Sequence, residues 1–180
     1  MNSKIELSTP RTLLRNLSPT DAKDFFALNL DPEVIRFTGD NPFNSLADSR
    51  RFLEEYDQYQ KYGVGRLAVI EKASGEFLGW CGLKYCVEED YYDLGYRFFR
   101  KYWGKGFATE TALANLGFGF GEKGLDKIIG RALVENLASI RVLEKIGMKH
   151  EKYVDFDGKA GVVYGIDKRS YLVPTPILLK

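Results

Sequence analysis

The chain has 180 residues, the length of one ordinary domain, and no Pro/Gly/Ser-rich linker divides it. Apolar residues make up 44% and charged residues 28%, a balance that excludes a disordered chain, a collagen-like repeat and a coiled coil. Basic and acidic residues number 26 and 25, so charge makes no case for nucleic acid as a partner.

No apolar run approaches the roughly 18 residues that a membrane helix needs, and the N-terminal MNSKIELSTP lacks an apolar signal core. A cytoplasmic protein that avoids membranes is the expectation. Two cysteines, Cys81 and Cys86, are too few for a disulfide scaffold and are expected to stay thiols. The one histidine, His150, excludes a multi-histidine metal site, and no metal is expected. Its setting, Met148-Lys149-His150-Glu151-Lys152, alternates like the solvent side of a strand.

Thr12 to Leu17 reads as the first strand. Ser18-Pro19-Thr20-Asp21 then opens a helix, with Ser18 as N-cap and Asp21 closing a capping box. Phe25, Phe26, Leu28 and Leu30 give this helix an apolar side. Phe37 to Asn44 is rich in turn formers. Ser45 with Asp48 caps a second helix, predicted to run unbroken to about Tyr62. Arg66 to Glu71, Phe77 to Tyr85 and Tyr91 to Phe99 read as three strands with short links, an antiparallel meander. A helix over Thr109 to Lys123, a strand over Lys127 to Val134 and a helix over Asn136 to Ile146, stopped by Gly147, follow. Tyr153 to Phe156 and Val162 to Ile166 form a hairpin about Asp157-Gly158. The sum is an α+β chain on one mixed sheet.

One segment carries the chemistry. Asp93-Leu94-Gly95-Tyr96-Arg97-Phe98-Phe99-Arg100-Lys101-Tyr102-Trp103-Gly104-Lys105-Gly106-Phe107-Ala108-Thr109-Glu110 is a strand, a loop and the start of a helix. Gly104, Gly106 and Ala108 remove bulk where backbone N–H groups must approach a ligand. The helix N-terminus adds unsatisfied donors and partial positive charge. A diphosphate fits, with Arg100, Lys101 and Lys105 to offset its charge; a glycine turn with a basic rim is the other reading. Two known phosphate motifs fail. Lys105 is followed by Gly106 where a P-loop needs Ser or Thr, and Thr109 stands where a dinucleotide fingerprint has its third glycine.

Trp103-Gly104-Lys105-Gly106-Phe107-Ala108-Thr109-Glu110 strongly resembles the acetyl-coenzyme A loop of the GNAT acetyltransferases, in particular their RimJ/RimL-like branch. Glu135-Asn136-Leu137-Ala138-Ser139-Ile140-Arg141-Val142-Leu143-Glu144-Lys145-Ile146-Gly147-Met148 is similar to that branch's second signature. Thr9-Pro10-Arg11-Thr12-Leu13-Leu14-Arg15 and Phe77-Leu78-Gly79 agree, so the resemblance spans residues 9 to 171 in order. It implies one GNAT-like domain over 1–180 with a tail at 172–180. Its mixed, mostly antiparallel sheet would have seven strands, flanked by about four helices.

The resemblance further implies acetyl transfer from acetyl-coenzyme A to a primary amine, direct and within a ternary complex. The acceptor would be a protein N-terminus or a small molecule. Trp103, Gly104, Lys105, Gly106, Phe107, Ala108 and Thr109 would hold the pyrophosphate. The strand at Gly95, Tyr96 and Arg97 would splay from its neighbour to meet the pantetheine arm, with Asn136 on the other side; Asn136 is equally a good N-cap. Many family members carry a tyrosine where this chain has Leu143, which cannot donate a proton. Ser139, one turn earlier, is the substitute acid, with Tyr96 a further candidate, and Asp93 is the candidate base. Glu88, Glu89 and Asp90 lie near it in sequence. Glu110 reads as a first-turn residue favoured by the helix dipole, outside catalysis.

The missing tyrosine leaves open a non-catalytic coenzyme-binding sensor or scaffold, and an unrelated nucleotide enzyme is a third reading. The amine is expected to enter past Phe37 to Asn44 and the loop from Asp155 to Gly161. There Asp40, Asp155 and Asp157 are either attractants or turn formers. A monomer or a homodimer fits, the latter through the apolar tail Pro174 to Leu179.

Overall fold

The computed structural model describes residues 4–172. Of the tail expected at 172–180, residues 173–180, with the dimer contact suggested for Pro174 to Leu179, lie outside the described residues. In chain order the strands are β1 (Glu6–Ser8), β2 (Thr12–Asn16), β3 (Arg66–Glu71), β4 (Phe77–Cys86), β5 (Tyr91–Phe98), β6 (Lys127–Leu133), β7 (Lys149–Phe156) and β8 (Lys159–Asp167). The helices are α1 (Ala22–Leu30), α2 (Pro32–Ile35), α3 (Leu46–Glu54), α4 (Gln58–Tyr62), α5 (Phe107–Gly117), α6 (Leu137–Lys145) and α7 (Lys168–Leu172).

The strands form one sheet in the order β1-β2-β3-β4-β5-β6-β8-β7. It is mixed and mostly antiparallel, and among the described residues it has eight strands, not the expected seven. The additional one, β1, is three residues long, too short to show a period of two, and exists by pairing Leu7 with Leu14 of β2. The helices also exceed the expected four. The short α2 is capped by Asp31, whose carboxylate accepts from the Glu33 N–H at 3.0 Å, with Pro32 at the first position.

Four expectations about the helices meet their physical reasons here. Asp21 closes the capping box, accepting from the Ser18 N–H at 2.9 Å, and Ser45 accepts from the Asp48 N–H at 3.1 Å. The helix predicted to run from Ser45 to Tyr62 is instead two, α3 and α4. The break lets two tyrosines serve the sheet backbone: the Arg66 N–H donates to the Tyr56 hydroxyl and the Leu17 N–H to the Tyr59 hydroxyl, both at 2.9 Å. Regular helix past Gly117 gives way to a wider π turn over Phe118–Glu122 that still buries Phe118 and Phe120.

Two apolar layers sandwich the sheet. Leu17, Phe25, Leu28, Leu53, Ala68 and Phe77 pack under α1 and α3 on one face. On the other, α5 and α6 bring Phe107, Leu116, Leu143 and Ile146 against Leu67, Leu83 and Leu94. Both cysteines are buried and free, and burial pushes the Cys81 thiol up to about 12. No thiolate is on offer at neutral pH. His150 is exposed on β7, against the rings of Tyr153 and Tyr164.

Candidate active site

The site begins at an opening in the sheet. β5 and β6 run parallel and pair at Asp93↔Ile129 alone, whereas β4 and β5 pair continuously from Cys86↔Tyr91 to Gly79↔Phe98. Beyond Asp93 the two parallel strands diverge. A cavity of about 1160 Å³ occupies this region, and its lining brings together Asp93, Tyr96, Arg97, Asn136, Ser139 and Leu143. Successive β5 side chains alternate, so Tyr96 faces the α6 layer while Asp93 and Arg97 face α1 and α3.

On the α6 side, Asn136 caps the helix, its Oδ1 accepting from the Ser139 N–H at 3.1 Å. The Tyr96 hydroxyl lies 2.9 Å from both the carbonyl oxygen and Oγ of Ser139. Burial raises the Tyr96 pKa above the ordinary phenol value, with the Ser139 bond working the other way, so the group is protonated at neutral pH. Leu143, one turn further along α6, is buried and closes this wall.

On the other side, Asp93 Oδ2 accepts from Arg66 Nη2 at 2.6 Å and Oδ1 lies 3.5 Å from Arg131 Nε. The Arg66 guanidinium also donates to the carbonyls of Gly82 and Asp93. It lies directly across Gly95, where any Cβ would stand 2.8 Å from its atoms. The guanidiniums of Arg66 and Arg97 both lie over the Trp80 indole, at 5.2 Å and 5.3 Å from its centroid. The Arg97 side chain turns toward α1 and the segment that precedes α3. It bonds Asn29 Oδ1 and pairs with Asp40 at 2.5 Å, pinning the segment between α2 and α3 to the sheet.

The loop after β5 stands outside the cavity lining and leads into α5. Gly104 and Gly106 adopt left-handed conformations with φ +73° and +83°, and α5 starts at Phe107, two residues before the expected Thr109. A Cβ at Gly104 would meet nothing within 4 Å. The turn is therefore open, and the first N–H groups of an eleven-residue helix follow it. Trp103 is half exposed and donates from Nε1 to the Phe98 carbonyl at 2.8 Å. Lys105 is exposed beside it.

Several acidic candidates separate by position. Glu88, Glu89 and Asp90 are exposed in the β4–β5 turn, away from the cavity. Asp155 accepts from the Gly158 N–H at 2.7 Å, a turn former, while Asp157 reaches the cavity rim. Glu55 and Asp57, at the α3–α4 break, line the cavity and escaped the sequence reading. Their place follows from the junction of α3 with α4, where the sequence pattern had suggested one continuous helix. Phe25, Phe43 and Phe52 form an aromatic wall beside them, with ring centroids 5.6–5.8 Å apart. Among the described residues no group of three or more His, Cys, Asp or Glu side chains could hold a metal ion, and no helix is long and apolar enough to cross a membrane.

Comparison with known proteins agrees with this geometry. The family model for an acetyltransferase (GNAT) domain matches residues 11–149. The chain is 35% identical over 178 residues to the uncharacterized protein YkkB of Bacillus subtilis (strain 168), covering 95% of this chain and 99% of that one. It is 28% identical to the uncharacterized N-acetyltransferase p20 of Bacillus licheniformis, covering 92% of this chain and 97% of p20. The crystal structure of an acetyltransferase (GNAT family) from Bacillus anthracis superposes with a TM-score of 0.80 at 27% identity, over 92% of this chain and 99% of that one. The chain belongs to the GNAT acetyltransferase family and is an enzyme of that class.

Proposed function

We propose that the protein moves an acetyl group from acetyl-coenzyme A directly to a primary amine, with both substrates bound together. The observation that carries this is the opening between β5 and β6, which has Tyr96 and Ser139 on one side and Asp93 on the other, on a strand that leads on through the Gly104–Gly106 turn into α5. The coenzyme supplies an acetyl thioester, and the residues of the chain do the rest.

The turn and the first N–H groups of α5 receive the pyrophosphate, with Trp103, Lys105, Phe107, Ala108 and Thr109 around it. The free edge of β5 at Gly95, Tyr96 and Arg97 offers backbone groups to the pantetheine amides, and the Tyr96 N–H faces the thioester oxygen. Asn136 contributes from the α6 side while capping that helix. The amine enters on the opposite face, along the Phe25–Phe43–Phe52 wall, and is a peptide N-terminus or a small molecule.

Transfer forms a C–N bond and breaks a C–S bond. The amine must lose a proton, and the departing sulfur must be stabilised. Asp93 takes the first role, directly or through a water, through Oδ1. Ser139 takes the second by donating a hydrogen bond to the sulfur. Tyr96 orients Ser139: its raised pKa makes it a poor proton source but a durable donor.

Replacing Ser139 with alanine is expected to lower kcat by roughly 10- to 100-fold, the worth of a hydrogen bond to a charged group at about 1.5–3 kcal/mol. The affinity for coenzyme should change little, and steady-state kinetics separate the two. An unchanged kcat would remove Ser139 from the mechanism.

The broader test is thermal unfolding with acetyl-coenzyme A, coenzyme A and NAD in turn, followed by thiol release with a panel of amines. Ligand at a hundred times its Kd adds about 2.7 kcal/mol, a rise in Tm of roughly 5–10 °C. A rise with the coenzymes alone, and turnover with one amine class, support the proposal. Binding without turnover on any amine would favour a sensor.

A further inference from the structure

Arg11 lies between β1 and β2, 94 residues before Lys105 in sequence, yet its contacts gather on the glycine turn. Its Nη1 donates to the Lys105 carbonyl at 2.9 Å, and its guanidinium sits 4.2 Å over the Phe107 ring. These two residues flank Gly106. The Nε and the backbone N–H of Arg11 donate to the two carboxylate oxygens of Glu110, at 2.7 Å and 3.0 Å. The Thr9 hydroxyl adds a third donor to that carboxylate, at 2.6 Å. Burial pushes the Glu110 pKa up, but the bonds from Thr9 and Arg11 outweigh it and hold the group below the ordinary carboxylate range. Glu110 is therefore more than a first-turn acid: it anchors a strap.

We infer that Arg11, held by Glu110, is a positioning residue for the coenzyme: it ties down the Lys105–Phe107 turn so that the backbone N–H groups stand ready for the diphosphate. A turn with two left-handed glycines has many conformations when loose, and ordering it on binding subtracts from affinity. The strap meets that cost during folding. This inference rests on the assignment of the turn to the coenzyme.

The test is calorimetric titration of coenzyme A and steady-state kinetics on wild type, Arg11→Ala, Glu110→Gln and the double variant. Arg11→Ala is expected to raise the Kd for coenzyme A and the KM for acetyl-coenzyme A by about 10- to 100-fold, the scale of a small misplacement at a binding site. At saturation kcat should stay within about twofold. Glu110→Gln should do the same, and the double variant should be no worse than either single change, because one strap is cut in all three. Should Arg11→Ala fold poorly, Glu110→Gln gives the same readout.

Wild-type protein that ignores coenzyme A would overturn the turn's assignment and the strap with it. Normal coenzyme binding in wild type and in Arg11→Ala alike would overturn the strap alone. Weak binding in Arg11→Ala beside normal binding in Glu110→Gln would make Arg11 a direct ligand and reject the positioning role.

Discussion

Replacing Gly106 with valine is expected to abolish useful coenzyme binding while leaving the fold intact. Gly106 has φ +83°, a conformation that a β-branched residue resists strongly. Forcing a side chain into the left-handed region costs about 1–3 kcal/mol; once the free turn relaxes to escape that strain, restoring it on binding weakens affinity by roughly 5- to 150-fold. The new Cβ would also stand 3.4 Å from Arg11 Nη2, so its methyl groups would press on the strap. Relief comes only if the turn changes shape, and the backbone N–H groups then leave their positions. Titration of coenzyme A into the purified variant checks this. Affinity equal to wild type would reject the turn as the diphosphate site, whatever the activity.

The second large effect is expected at Arg66. Its side chain is 14% exposed and that of Asp93 9%, and the pair is joined at 2.6 Å. Arg66→Ala leaves Asp93 with Arg131 at 3.5 Å as its remaining ionic neighbour and strips two carbonyls of their donor. Breaking a buried pair from one side costs about 3–5 kcal/mol. For a chain of this length that lowers Tm by roughly 6–20 °C. Calorimetry or denaturant melts measure it. The same variant frees Asp93 to move, so kcat should fall even where the protein remains folded. A loss of stability below about 1 kcal/mol would show that water reaches the pair freely and that Asp93 is not held for catalysis.

Much of this arrangement could be read from the chain. Local signals were sufficient wherever local physics decides: Ser18 with Asp21, Ser45 with Asp48, Asn136 before α6, and Asp157-Gly158 in the β7–β8 turn. The β3, β4 and β5 meander followed from period and short links. The glycine turn followed from composition, because a position that requires positive φ selects glycine in a way visible without structure.

What escaped was set at a distance. The α3–α4 break depends on tyrosine hydroxyls reaching the backbone at Leu17 and Arg66, and nothing within residues 45–62 announces it. With it went Glu55 and Asp57. Strand β1 exists because β2 offers an edge. The two arginines around Trp80 and the pairing of Arg97 with Asp40 join residues up to 57 apart, where pattern has no reach. Asp31-Pro32-Glu33 is the exception: cap and proline both stood in the sequence, and α2 could have been found.

The divergence of β5 from β6 has a structural cost of its own. Protein sheets usually keep their unpaired backbone at the rim, where charges, short strands or loops shield it. Here an unpaired edge lies in the middle of an eight-stranded sheet, on the strand that also carries Asp93 and Tyr96. Every N–H and C=O along it must find water or a guest, so the free protein is a sheet in two halves joined at one rung. A pantetheine arm lying along that edge would stand in for the missing strand, and the substrate would then be part of the protein's own architecture for as long as it stayed.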